Sequence, residues 1–304
     1  MLSRTLTLDD FKPVQLEDKQ LFDDHYKNYP PVHSDNLFAT MLSWMDYSDY
    51  QYVFLNDNLV IKTKIRDNTQ FRLPSGKFNK ELFNLVLELA KKEGSDPPVE
   101  LVDLQTKNWI EKVYPKIKFK PDRDFFDYVY LASDLAELPG SSFSKIRNRL
   151  NKFKRNYVYK TEAISKNNFN EIREFLKRWC LWKDCDSDPL LESEKKAILF
   201  SMDHYFDLGL LGIAMRINDN IEAISVFEHM SSDTSVIHYE KGSPDFDGIY
   251  KAINMEAAKI LQNNYAYINR ESDMNLPGLR KAKMSYRPHH LVEVFHIDRQ
   301  YIYL

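Results

Sequence analysis

Two hairpin signals lie about 160 residues apart, roughly one domain length, and each opens the same succession of elements. In the first, strand-like residues 51–55 and 59–62 flank Asn56-Asp57-Asn58, a composition suited to a tight antiparallel turn. In the second, residues 212–217 and 221–227 flank Asn218-Asp219-Asn220. The first hairpin is followed by a short strand over 69–73 that runs into Pro74-Ser75-Gly76. A helix comes next, with Asn79 as its predicted N-cap and Leu82, Leu85, Val86 and Leu89 as its buried stripe. A strand over 99–102, a helix through Trp109 and a strand over 128–131 complete the half. The second half repeats the order. Its third strand, 235–239, enters the loop 241–248, and a helix then carries Ile249, Ile253, Ala257, Ile260 and Leu261 on one face. A strand over 265–268, a helix over 279–284 and a strand over 291–295 end it.

Each half is thus an antiparallel meander, a helix, a strand, a second helix and a last strand. This is the order of the GNAT acyltransferase fold, in which the fourth and fifth strands splay and admit a donor between them. The expectation is an α+β protein of two tandem GNAT-like domains, each a mixed, mostly antiparallel sheet flanked by helices. The junction is expected at Pro139-Gly140, after the acidic stretch 134–137, giving domains 1–138 and 139–304 with the site in the second.

Composition narrows the chemistry. Of 304 residues, 43% are hydrophobic and 29% charged, which supports packed cores rather than disorder. The net charge of −3 argues against a protein that coats nucleic acid, but leaves room for a local basic patch. Glycine numbers only 8, and the positions form no G-x-G-x-x-G, P-loop or nucleophile-elbow spacing. The histidines form no H-E-x-x-H pair, and Cys180 and Cys185 give neither a disulfide framework nor a zinc pattern. No metal is expected, and the two thiols read as buried and free. Asp9 and Asp10 interrupt any signal-peptide core, and the longest nearly apolar run, 208–215, is far short of a membrane span. The expectation is a soluble cytoplasmic protein; peripheral contact with a membrane stays open.

Three stretches carry candidate chemistry. Over 141–160, Ile146, Leu150, Phe153 and Tyr157 form an apolar stripe, while Lys145, Arg147, Arg149, Lys152, Lys154 and Arg155 cover the remaining faces without an acid. This is either a solvated surface helix or a binding face for an anion such as RNA phosphate, a nucleotide or a lipid headgroup. The loop 241–248 offers a helix N-terminus to an anion, although Asp245 and Asp247 would repel phosphate and serve equally well as caps. Around the strand end at 269–273 and the following 276–288, polar residues crowd a tight loop and a short helix. Functional groups and loop-fixing salt bridges both gather in such places.

In this third stretch Ile268-Asn269-Arg270-Glu271-x-Asp273 and Gly278-Leu279-Arg280-x-Ala282-Lys283-x-Ser285-Tyr286-x-Pro288, with the preceding Tyr239-Glu240-Lys241, resemble the family related to the phosphatidylglycerol lysyltransferase C-terminal domain. The basic run 146–153 is similar to that family's basic segment. The resemblance implies a tandem GNAT fold shared with peptidoglycan-bridge aminoacyltransferases and leucyl/phenylalanyl-tRNA–protein transferases. It also implies transfer of an aminoacyl group, rather than acetyl, to an amine or hydroxyl, with aminoacyl-tRNA or acyl-CoA as the possible donor. The chain departs from its lipid-modifying relatives in having no long transmembrane region, and from CoA-binding GNAT enzymes in lacking the R/Q-x-x-G-x-G/A signature.

By analogy with that fold, Glu240 or His238 is the expected base, Tyr286 the acid, and Glu271 belongs to the catalytic set. Strict alternation would put His238 and Glu240 on one face and Tyr239 on the other. Arg270, Arg280 and Lys283 are expected to contact an anionic donor. Lys241, Ser243, Asp245, Phe246, Gly248, Tyr250, Asn269 and Asp273 complete the expected substrate site, with Arg270, Glu271 and Tyr286 lining one pocket. The competing expectation is a protein that binds RNA or a charged metabolite without catalysis.

Overall fold

The computed structural model describes residues 6–185 and 188–302. The strands in the first half of the chain are β1 (Lys12–Pro13), β2 (Gln51–Leu55), β3 (Asn58–Ile65), β4 (Asn68–Phe71), β5 (Val99–Asp103), β6 (Lys120–Pro121) and β7 (Asp127–Leu131). Those in the second half are β8 (Tyr159–Ala163), β9 (Leu211–Ile217), β10 (Asn220–His229), β11 (Thr234–Gly242), β12 (Tyr267–Asn269), β13 (His290–Val292) and β14 (Val294–Ile297). Both predicted hairpins form. Asn56 and Asp57, and likewise Asn218 and Asp219, take left-handed φ values between 49° and 64°. That is the backbone of a two-residue turn whose twist matches its strands, and Asn and Asp tolerate it best after glycine.

One sheet runs β1-β2-β3-β4-β5-β14-β6 and the other, read in the same sense, β8-β9-β10-β11-β12-β7-β13. The orders correspond place for place. In each, the fourth and fifth strands are parallel and the fifth and sixth antiparallel. The protein is α+β, built of two tandem GNAT-like sheets. The sixth place differs from the expected tandem, because each half supplies that strand to the other half's sheet. Residues 128–131 take the sixth place in the second sheet and residues 294–297 in the first.

Side chains explain the exchange. The Tyr128 hydroxyl donates to Asp273 at 2.5 Å and that of Tyr130 to the Lys283 carbonyl at 2.9 Å, so β7 is fitted to the second half. Phe295 and Ile297 of β14 join a core with Val86, Val99 and Ile110. The compact units are therefore Met1–Phe126 with Val292–Leu304, and Asp127–Leu291, not 1–138 and 139–304. The segment around Pro139-Gly140 lies inside the second unit, where Leu135, Ala136 and Leu138 are core residues.

The first unit carries α1 (Lys19–Tyr26), α2 (Phe38–Ser43), α3 (Met45–Ser48), α4 (Lys80–Glu93) and α5 (Leu104–Val113). Asn79 caps α4 as predicted, accepting from the Leu82 N–H at 3.1 Å. In the second unit are α6 (Ala132–Glu137), α7 (Ser144–Asn156), α8 (Phe169–Lys183), α9 (Pro189–Asp203), α10 (Ile249–Leu261) and α11 (Pro277–Ser285). Ala252, Ala257 and Ala258 keep the buried face of α10 small, and Ile249 and Ile253 fill it. Ile146, Leu150 and Phe153 of α7 join the same core. Cys180 and Cys185 are free, the first half-buried and the second buried. None of the described helices is long and apolar enough to cross a membrane.

Candidate functional site

The parallel pairing of β11 and β12 is short: Thr234, Ser235 and Val236 oppose Tyr267, Ile268 and Asn269. Beyond Val236, β11 runs on to Gly242 beside β10, whereas β12 ends at Asn269 and the next two residues stay bonded to Tyr128 of β7. The strands part, and a cavity of about 560 Å³ opens there. Its walls come from β11, the loop 243–248, the first turn of α10, the segment after β12, and α11 with Tyr286.

A bulge reorganises β11 at this point. Consecutive Val226 and Phe227 on β10 face Tyr239 and Ile237, so His238 is the extra residue. The expected alternation is broken there. Glu240 turns to α10, accepting from Asn254 Nδ2 at 2.9 Å and from Arg270 Nη2 at 2.5 Å. Tyr239 shares a hydrogen bond with Ser201 of α9, and Lys241 reaches Glu194 at 2.9 Å while lying 4.2 Å from the ring centre of Trp179 on α8. His238 lies between two carboxylates, Nε2 2.9 Å from Glu228 and Nδ1 2.9 Å from Glu271. Burial opposes a charged ring, but the two carboxylates outweigh it and push His238 up to about 10. A ring that donates from both nitrogens has no lone pair left to act as a base. His238 and Glu240 therefore do not share a face, and neither is a free base.

The polar run after β12 divides into a scaffold and a wall. Asn269 is buried, donating to Asp127 at 2.8 Å and accepting from the Glu271 N–H at 2.7 Å. Asp273, fully buried, receives Arg280 through Nε at 2.8 Å and Nη2 at 2.7 Å, besides the Tyr128 hydroxyl. These bonds hold a turn in which Glu271, Met274 and Asn275 have positive φ. Lys283 donates to the carbonyls of Arg270, Glu271 and Ser272 at 2.5, 3.0 and 2.5 Å. Burial pushes Lys283 down to about 8, so it is still an ammonium at neutral pH, and its three protons are spent on the backbone. The expected donor contacts of Arg280 and Lys283 are thus replaced by roles in fixing the loop. Asn269, Asp273, Arg280 and Asp245 do not line the cavity; Lys283 does.

The other expected residues that reach the wall are Lys241, Ser243, Phe246, Gly248, Tyr250, Arg270, Glu271 and Tyr286, with His238 and Glu240. Phe246 and Tyr250 give the aromatic side, and Arg270 and Glu271 the polar one. Ser243 also supports its loop, donating its N–H to the Glu222 carbonyl at 2.8 Å and accepting from the Asp245 N–H at 3.3 Å. Tyr286 is 3% exposed, with Lys251 Nζ 4.6 Å and Arg270 Cζ 4.9 Å from its ring centre. Burial lifts its phenol well above the usual range, so the hydroxyl keeps its proton. Gly248, with φ at 99°, lets α10 start against α7; a Cβ there would stand 3.1 Å from Phe153 Cβ and 3.3 Å from the Arg149 carbonyl.

On α7 the cations separate as well. Arg149 lines the cavity rim, and it and Lys152 approach Asp247 at 3.5 and 3.0 Å. Lys145, Lys154 and Arg155 are exposed. Arg147 turns inward to the carbonyls of Leu138 and Gly140 and is a structural contact.

Two charged wall residues were not foreseen: Glu194 of α9, and Lys251 in the first turn of α10. A lysine near a helix N-terminus opposes the macrodipole, and that is the signal that could have found it.

The chain as a whole is similar to several known proteins. A conserved protein of unknown function from Bacteroides thetaiotaomicron VPI-5482 is 30% identical, with a TM-score of 0.87 over 95% of this chain and 98% of its own. L-PGS from Bacillus licheniformis is 13% identical, with a TM-score of 0.63 over 95% of this chain and 93% of its own. FemX is 11% identical, with a TM-score of 0.56 over 95% and 98%. At those identities the last two are likenesses of fold. An uncharacterised protein of Mycoplasmoides gallisepticum is 24% identical over 169 residues, and the match spans 54% of its length, about half of that curated relative. With residues 26–297 matching the profile described as phosphatidylglycerol lysyltransferase, C-terminal, the chain belongs to that family.

Proposed function

We propose that the second unit is an aminoacyltransferase whose reaction takes place in the cavity between β11 and β12. The observation that carries this reading is the parting of the two strands around Tyr286, a buried phenol that keeps its proton yet faces the cavity. In the proposed reaction an acceptor amine or hydroxyl attacks the ester carbonyl of the donor. A new bond to the carbonyl carbon forms, the ester C–O bond breaks, and the leaving oxygen takes a proton from Tyr286. Glu271 receives the nucleophile's proton. Its Oε1 is held by His238, and its carboxyl is lifted above the usual range by burial while the His238 cation pulls it back. Family membership and the likeness to FemX support aminoacyl transfer in general.

Aminoacyl-tRNA suits the site better than acyl-CoA. At the start of α10 the N–H groups of Ile249 and Lys251 are already bonded to the carbonyls of Phe246 and Gly248. A backbone cradle for pyrophosphate is therefore largely occupied. The exposed cations of α7, with Arg149 at the cavity rim, favour an RNA backbone, and they equally support the second reading, RNA binding without transfer. Incubation of the purified protein with tRNA carrying labelled amino acids, and separately with labelled acetyl-CoA, tests the proposal. Protein-dependent passage of label from tRNA to an added amine or hydroxyl is expected. Label moving only from acetyl-CoA would overturn the donor. Tight RNA binding without turnover would favour the binding reading.

A further inference from the structure

The charges lining the cavity are mostly balanced. Glu194 pairs with Lys241, Asp247 with Lys152, Glu271 with His238, and Glu240 with Arg270 Nη2. Lys283 spends its protons on backbone carbonyls instead, and two donors fall outside both arrangements. Arg270 Nη1 is buried without a hydrogen-bond partner. Lys251, half-buried in the wall, has no ion pair among the described residues, and its ammonium lies over the ring of Tyr286, the ring that Arg270 also covers. A buried donor without an acceptor, and a second cation over the same ring, are unfavourable unless an acceptor completes them, and an anion does so best.

We propose that Arg270 Nη1 and Lys251 Nζ form an oxyanion subsite beside Tyr286, which holds a phosphate ester of one of the two substrates. A guanidinium edge and an ammonium on one group match phosphate chemistry, and the positive end of α10 adds to them. The subsite accounts for a lysine in a helical first turn, where the dipole alone disfavours it. It also assigns the unpaired half of Arg270, whose other half is fixed by Glu240. The subsite deepens the transferase reading by naming a substrate group. It is tested by binding alone, so it can fail with transfer intact, and transfer can fail while it stands.

Inorganic phosphate is titrated into the full chain by calorimetry at constant ionic strength, with acetate as the planar comparison. Lys251→Gln is expected to weaken phosphate binding about 10-fold, as for loss of one charge-assisted bond. Lys251→Arg should retain it, and Lys259→Gln, on the exposed side of the same helix, should leave it unchanged. Adenosine monophosphate and glycerol 3-phosphate then compete for the subsite; the better competitor identifies a nucleotide or a headgroup as the source of the phosphate. Phosphate bound equally well by Lys251→Gln, no binding to the wild type, or acetate bound more tightly than phosphate would each overturn the proposal. Unfolding midpoints of the three variants separate lost binding from lost structure.

Discussion

Glu240 and Arg270 meet at 2.5 Å across the gap where β11 and β12 have ceased to pair. Glu240 thereby replaces the missing strand-to-strand hydrogen bonds with a side-chain clasp, and Asn254 holds its second oxygen. Burial works against the Arg270 charge, but Glu240, together with the Tyr130 and Tyr286 phenols, more than offsets it. Removing the carboxylate leaves a largely buried guanidinium uncompensated, which typically costs about 3–5 kcal/mol. Urea unfolding of Glu240→Ala should show a loss in that range. Adding Arg270→Met should recover part of it, because the second change removes the orphaned charge. A double variant as unstable as the sum of the two singles would show that the pair is not coupled.

His238 makes stability depend on pH with a definite sign. Its pKa is raised from 6.5 to about 10 by Glu228 and Glu271 against the opposing effect of burial. A histidine raised on folding adds stability that is complete below the unfolded value and fades as pH climbs toward the folded one. The stability gap between wild type and His238→Gln should therefore be largest near pH 6 and shrink steadily toward pH 10. Ring carbon shifts in NMR should report an imidazolium at pH 8. A neutral ring at that pH would return His238 to the set of possible bases.

The sequence carried the repeat clearly, because turn chemistry is local: Asn-Asp at both hairpins requires nothing from distant residues. The stripe of α7 and the buried face of α10 were legible for the same reason, except for Ile260, which is exposed. The exchange of β7 and β14 was not, since Asp127–Leu131 would bury its aromatic side chains equally well in either sheet. Only the partners of Tyr128 and Tyr130 decide the matter, and they lie 145 and 153 residues away. The bulge at His238 was hidden too, as one extra residue reverses the facing of every residue after it without altering composition. For the crowded polar run after β12, proximity to the strand end was readable. Which groups spend their hydrogen bonds on the loop, as Asp273, Arg280 and Lys283 do, depends on three-dimensional pairing.

The cationic face of α7 gives a prediction about charge alone. Charge reversal of both Arg149 and Lys152 should weaken binding of RNA and reduce the slope of log affinity against log salt by about two contacts' worth. Asp247, which now pairs with both, would be left beside two like charges, so a smaller effect on folding should be checked by thermal unfolding. Arg147→Glu should behave differently, lowering stability by losing its carbonyl contacts while changing the salt slope less. Unchanged RNA affinity in the double reversal, with measurable binding by the wild type, would mark α7 as a solvated surface.

Tyr286 separates a catalytic role from a structural one most sharply. Its ring packs at 6.4 Å from that of Tyr130 and lies near Lys251 and Arg270, contacts that phenylalanine would keep. Tyr286 is both a core residue and part of the cavity wall; burial keeps its hydroxyl protonated, and Arg270 exerts the opposite pull. Tyr286→Phe should therefore fold with little change in unfolding midpoint, because packing is preserved and only a hydroxyl is lost. If that hydroxyl gives its proton to the leaving oxygen, turnover should fall on the order of 10²-fold or more. The Michaelis constant for the donor should move far less, since the loss falls on the transition state. Tyr286→Leu, by contrast, removes the ring beneath two cations and should lower both stability and donor binding. Full turnover in Tyr286→Phe would end the proton-donor role and leave the ring's contacts with Lys251 and Arg270 as its function.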